Sequence, residues 1–145
     1  SGHITEAADV RIRMHDKRLR KLAYLKEELQ EPEFVGDEIA KTLLIAWGSV
    51  TSPVREAVRL LNDGEKIGVG ALLFGDIWPL PDKLIRDKAA KAGRIINIEQ
   101  NATGQLASLI REQTGIACSG SILKYDGRPL SAEEIVKKLK GGDLG

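Results

Sequence analysis

Three short segments of this 145-residue chain hold most of the side chains that could grip a ligand or a partner. They are Trp47-Gly48-Ser49-Val50-Thr51-Ser52, Asp76-Ile77-Trp78-Pro79 and Glu99-Gln100-Asn101-Ala102-Thr103-Gly104, and each follows an apolar run that reads as a strand. Both tryptophans lie there, with carboxylates, two amides and several hydroxyls. In an open parallel sheet, loops and helix N-termini converge outside the carboxyl ends of the strands, which is where ligands or partners are met. The candidate ligand- or interface-facing residues are therefore Trp47, Gly48, Ser49, Thr51, Ser52, Asp76, Trp78, Glu99, Gln100, Asn101, Thr103 and Gly104. A plainer reading stands beside this one: Trp47 and Trp78 fill the edge of the sheet, and Asn101 and Thr103 satisfy turn and cap hydrogen bonds.

Bond-making chemistry finds no support in the residue pattern. His3 and His15 stand far from any second pair of metal ligands, and Cys118 has no partner at metal spacing. There is no Gly-x-Ser-x-Gly, and no histidine in the body of the chain to act as a base. Gly68-Val69-Gly70 is a partial dinucleotide fingerprint, but Leu73 occupies the third glycine position and the run lies inside a strand. Asn101-Ala102-Thr103 matches a glycosylation acceptor without a secretory context. The expectation is no catalytic residue and no metal ligand.

A second candidate surface is basic. Residues 10–29 have helical periodicity, with Asp9 as a possible cap and Met14, Leu19, Leu22, Leu25 and Leu29 as an apolar stripe. Arg11, Arg13, Lys17, Arg18, Arg20, Lys21 and Lys26 face a single acid, Asp16, over residues 10–26. This arm reads as a solvated face, as a surface docking on an acidic subunit, or, last, as a nucleic-acid binder, for which only Tyr24 interleaves the charges. A helix both basic and striped packs on something.

The elements that must position the three loops form a βαβ series. Strands are expected at residues 42–46, 67–74, 94–99 and around Ile122 and Leu123. The first helix, 54–61, should open on Ser52-Pro53 and end at Asn62-Asp63-Gly64. The second should start at Asp82, bury Leu84, Ile85 and Ala89, and stop at Gly93. The third runs from Gly104 or Gln105 to Gln113 and closes at Gly115. Ser131-Ala132-Glu133-Glu134 is a capping box for a last helix that buries Ile135, Val136 and Leu139. Residues 30–41, with Pro32 and Gly36, lack periodicity and read as a linker. The expected fold is a three-layer αβα domain around a mostly parallel, doubly wound sheet (residues 41–145), preceded by a helical arm and linker (residues 1–40).

The totals agree with one domain. Lys and Arg number 22 against 21 Asp and Glu, so no overall field marks a nucleic-acid binder. One cysteine allows no internal disulfide and falls short of an iron–sulfur ligand set, and a reducing cytoplasm is the expected compartment. No apolar run approaches the roughly 20 residues of a membrane span. The opening Ser1-Gly2-His3, without initiator methionine or signal peptide, is the start expected of an excised piece of a longer polypeptide.

Several strings of the chain resemble one family. Gly2-His3-Ile4-Thr5-Glu6, Lys17-Arg18-Leu19-Arg20-Lys21-Leu22, Leu44-Ile45-Ala46-Trp47-Gly48-Ser49 and Trp78-Pro79-Leu80-Pro81 are similar to the last part of the α subunit of 2-oxoacid or 2-oxoglutarate:ferredoxin oxidoreductases. The most specific are Glu99-Gln100-Asn101-Ala102-Thr103-Gly104-Gln105-Leu106-Ala107 and Ile122-Leu123-Lys124-Tyr125-Asp126-Gly127-Arg128-Pro129, which occur in order and at fitting distances. Departures are Val50-Thr51-Ser52, where relatives often have a Thr- and Gly-containing turn, and Gly75 before Asp76. The resemblance implies a transketolase C-terminal-like domain. It implies an enzyme that oxidatively decarboxylates a 2-oxoacid on thiamine diphosphate with Mg2+, passes electrons through iron–sulfur clusters to ferredoxin, and yields an acyl-coenzyme A. In that family the diphosphate and magnesium sit on the β subunit, and this region is a helper that binds none of the cofactors alone. Implied partners are the remaining domains of the α subunit, the β subunit and, through the complex, ferredoxin, with no nucleic acid and no membrane. The alternative is an autonomous nucleotide- or anion-binding α/β module using the helix N-termini after Ser52 and Gly104.

Overall fold

The computed structural model describes Lys17, residues 30–75, residues 77–142 and Leu144. Among them the sheet has five strands: β1 (Glu33–Gly36), β2 (Thr42–Trp47), β3 (Val69–Phe74), β4 (Arg94–Glu99) and β5 (Gly120–Leu123), in the order β1-β3-β2-β4-β5. The contacts β3–β2, β2–β4 and β4–β5 are parallel, and β1 runs antiparallel on the outside of β3. The helices are α1 (Thr51–Leu60), α2 (Lys83–Lys91), α3 (Gln105–Thr114) and α4 (Ala132–Gly141).

Alternation along the strands makes two cores. Leu44, Ala46, Ala71, Leu73, Ile96 and Ile98 point to one face, where Val54, Ala57 and Val58 of α1 and Ile135 and Leu139 of α4 cover them. Leu43, Ile45, Leu72, Phe74 and Ile95 point to the other, under Ile85 of α2 and Leu106 and Ile110 of α3. β2 and β3 are buried on both faces, which is why they read as unbroken apolar runs. This is the doubly wound αβα sandwich the sequence pattern expects.

Five local details differ from expectation. The segment 30–41 is not irregular throughout, because residues 33–36 join the sheet as β1, Phe34 packing over Gly70. Ser52 is not an N-cap. A 3-10 turn (Gly48–Val50) runs straight into α1, which begins at Thr51, with Val50 at the cap position and Pro53 still in the first turn. Asn62-Asp63-Gly64 does not end that helix, which widens into one π-type turn (Leu61–Glu65) and stops at Lys66, a left-handed residue with φ 55°. β3 then begins at Val69 and not at Ile67, because the Ile67 N–H still closes the helix end on Leu61 O and the Asn62 side chain clamps Val69 from both sides, at 2.9 Å each. Asp82 precedes α2 without capping it. The Glu31 carboxylate accepts from Leu84 N at 2.6 Å instead.

Other expected signals stand. Gly115 ends α3 in the left-handed region, and Ser131 Oγ accepts from Glu134 N at 3.1 Å as the cap of α4. The basic arm, with Arg11, Arg13, Arg18, Arg20 and Lys21, lies outside the described residues. Lys17 is exposed. No helix among the described residues is long and apolar enough to cross a membrane.

Candidate functional site

Because β2, β3 and β4 are parallel neighbours, their carboxyl ends share one edge, and the loops after β2 and β4 meet there. Glu99, the last residue of β4, is fully buried on the α3 side of the sheet. Its Oε1 accepts from Trp47 Nε1 at 3.1 Å, Asn101 Nδ2 at 3.1 Å and Leu106 N at 2.6 Å. Its Oε2 accepts from Asn97 Nδ2 at 2.8 Å and Ala107 N at 3.2 Å. A buried carboxylate is tolerated only when so surrounded, and the first turn of α3 supplies two of the donors at the positive end of the helix dipole.

Asn101 completes the same corner. Its Oδ1 accepts from Thr103 N, Gly104 N and Gln105 N at 3.1, 2.7 and 3.4 Å. Gly104 turns into α3 at φ +66°, a conformation that favours glycine. Asn101 thus does the turn and cap work of the plainer reading. The N-terminus of α3 is occupied by the chain's own groups, so the anion site imagined after Gly104 is already filled from within.

Above this corner lies a concave surface of about 290 Å3 lined by Trp47, Gly48, Ser49, Gln100, Asn101 and Gln105. Ser49 Oγ donates to Gln100 Oε1 at 3.2 Å, and Gln100 Nε2 donates to Arg128 O at 3.3 Å, tying the β2 and β4 loops to the turn after β5. Asp126 shapes that turn by accepting from Arg128 N, the bond that chiefly holds its carboxyl below the ordinary value. Thr51 Oγ1 turns back to Gly48 O at 2.9 Å. Ser52 lies on an adjoining surface with Glu56, Pro129 and Glu133. Thr103 is exposed.

The loop after β3 stands on the same edge, but none of its described residues lines this concavity. Trp78 is 60% exposed, so it does not fill the sheet edge, and Asp76 lies outside the described residues. Two participants escaped the sequence reading. Asn97 is fully buried in β4, and its Oδ1 accepts from Ser121 Oγ of β5 at 2.6 Å. The available signal was a lone amide within Ile95-Ile96-Asn97-Ile98. Cys118 lies near these groups. Burial pushes its thiol up to about 11, the Glu99 charge adds to that, and a backbone hydrogen bond with Asn97 opposes it. Among the described residues no three His, Cys, Asp or Glu are grouped to hold a metal ion. This edge presents amides, hydroxyls and an indole above a buried, fully hydrogen-bonded carboxylate.

Comparison with known proteins follows the geometry. The family described as pyruvate:ferredoxin oxidoreductase core domain II matches residues 40–135. The α subunit of 2-oxoacid:ferredoxin oxidoreductase 2 of Aeropyrum pernix is 33% identical over 142 residues, covering 96% of this chain and 22% of its own length. The structure of 2-oxoglutarate:ferredoxin oxidoreductase from Magnetococcus marinus, with 2-oxoglutarate, coenzyme A and succinyl-CoA bound, superposes with a TM-score of 0.81 at 32% identity. It covers 88% of this chain and 22% of that one. A split-gene transketolase in an inactive β4 tetramer shares the fold, with a TM-score of 0.57 at 17% identity over 78% of this chain and 42% of its own. This chain therefore spans about 22% of the length of these two oxidoreductase chains. With its αβα core and strand-end ridge, the chain belongs to the pyruvate:ferredoxin oxidoreductase core domain II family.

Proposed function

We propose that this chain is the structural and interface domain of a 2-oxoacid:ferredoxin oxidoreductase α subunit. The enzyme would decarboxylate a 2-oxoacid oxidatively to an acyl-coenzyme A in a reducing cytoplasm, with thiamine diphosphate supplying the carbanion chemistry and iron–sulfur clusters passing electrons to ferredoxin. The strand-end ridge turns toward a neighbouring domain or the coenzyme A side of the site. The observation that carries this reading is the family match over residues 40–135, joined to a ridge lined by an indole, a hydroxyl and amides.

Among the described residues, the ridge does not fit the metal-bearing cofactors. Magnesium diphosphate needs carboxylate oxygens free to coordinate, and those of Glu99 already accept five N–H donors among the described residues. A cluster needs several thiolates, and Cys118 keeps its proton to about pH 11. No chemical step is assigned to this chain. Its residues hold the ridge in shape and present Ser49, Gln100 and Gln105 outward.

The complete α/β complex is expected to reduce a viologen dye only when a 2-oxoacid and coenzyme A are both present. Trp47→Ala should lower that rate with thiamine diphosphate and iron contents unchanged. Loss of bound thiamine diphosphate in the variant would contradict an interface role. No dye reduction by the wild-type complex with pyruvate, 2-oxoglutarate or branched 2-oxoacids would overturn the enzyme assignment. The autonomous anion-binding module is the weaker reading, since α3 already spends its first-turn donors on Glu99.

A further inference from the structure

Glu99 is more than a helix cap. Capping needs only a short polar side chain near the first turn, and Asn101 already serves the N–H groups of Thr103, Gly104 and Gln105. Glu99 adds a second set of bonds to α3 through Leu106 N and Ala107 N, and it also reaches Trp47, 52 residues away at the end of β2. Asn97, itself held by Ser121, fixes the carboxylate from below. Burying a charge is costly, and a neutral side chain could fill the same volume. What the charge provides is one group that several donors from separate elements must all face.

We propose that Glu99 is the positioning residue of the strand-end ridge: an internal carboxylate, seated where α3 would otherwise take an external anion, that locks Trp47 and Asn101 and thereby aims Ser49, Gln100 and Gln105. The claim rests on the reading that this ridge serves the oxidoreductase. Oε1 and Oε2 both accept, so an amide in place of the carboxylate must turn an NH2 toward N–H groups that have no other acceptor within the corner.

The test uses the complete α/β enzyme. In Glu99→Gln, KM for coenzyme A is expected to rise about tenfold while kcat stays within about twofold, the pattern of disturbed binding geometry. Trp47→Phe, which cuts only the tie to β2, should move KM in the same direction by a smaller factor. Glu99→Ala opens a carboxylate-sized hole lined with donors, so formate should restore its melting temperature and its KM, whereas chloride at equal ionic strength should not. A Glu99→Gln enzyme that melts earlier but keeps wild-type KM and kcat would reduce Glu99 to a structural cap and overturn the proposal. So would a fall in kcat at unchanged KM, or a Glu99→Ala protein indifferent to formate. Should Glu99→Ala not fold, the kinetics of Glu99→Gln and Trp47→Phe decide. Should the wild-type complex turn over no 2-oxoacid, the functional reading fails on its own, and the formate dependence of melting still decides whether Glu99 acts as an internal anion.

Discussion

At the scale of single residues, one charge reaches its neighbours through the low-dielectric corner it occupies. The Cys118 thiol is pushed up to about 11 from an ordinary 9.0, first by burial and then by Glu99. At pH 8 it should therefore react with iodoacetamide about 100-fold more slowly than an unperturbed thiol, since two pKa units remove that factor of thiolate. Unfolded chains release this proton near pH 9 and the folded one does so near 11, so stability falls as pH rises through that window. The stability difference between wild type and Cys118→Ser in denaturant melts should stay constant near neutral pH and shift against the wild type as pH rises past about 9. Trp47, Glu99 and Asn101 were visible in the sequence as residue types at strand ends. Asn97 and Ser121 were not, because a polar residue inside an apolar run gives no sign of which strand will supply its partner.

Elements show a similar division between near and distant partners. The Ser131 cap was legible because both of its groups lie within four residues, and Ser131→Ala should cost about 1 kcal/mol in urea melts. Glu134 of the same turn is also bound by Lys124 at 2.7 Å, the first cause holding its carboxyl below the ordinary 4.5. A depressed carboxyl stabilises the fold above the ordinary carboxylate range and loses that contribution as pH falls through the folded value. The melting-temperature gap between wild type and Glu134→Gln should therefore close on acidification. A gap that persisted at pH 2 would show that packing, not charge, carries the contact. α2 and α1 misled the eye for the opposite reason. Asp82 and Ser52 have capping chemistry at the expected places, but Glu31 comes from 53 residues away to serve α2, and the 3-10 turn starts α1 at Thr51, before the expected cap.

On the scale of the whole molecule, the sheet converts separate loops into one ridge. Gly36 shows how closely the edge is fitted: at φ +99°, a Cβ there would stand 2.4 Å from Val69 O. Gly36→Ala should cost about 2 kcal/mol or more and release hydrogen-exchange protection on β1 before the rest of the sheet. Protection lost uniformly across all strands would contradict the view of β1 as a separable edge. The sequence by itself determined the parallel core strands, the α4 cap, the Gly115 stop of α3 and the family, since periodicity, capping and characteristic strings are local properties of the chain. Only the tertiary structure decided that residues 33–36 pair antiparallel with β3, that two of the three strand-end loops close on one carboxylate while Trp78 stands apart, and that α3 carries its own anion. The β1 pairing and the tie from Trp47 to Glu99 depend on contacts between residues tens of positions apart, which strand order brings together, and the seating of Glu99 under α3 depends on a loop geometry that no periodic pattern encodes.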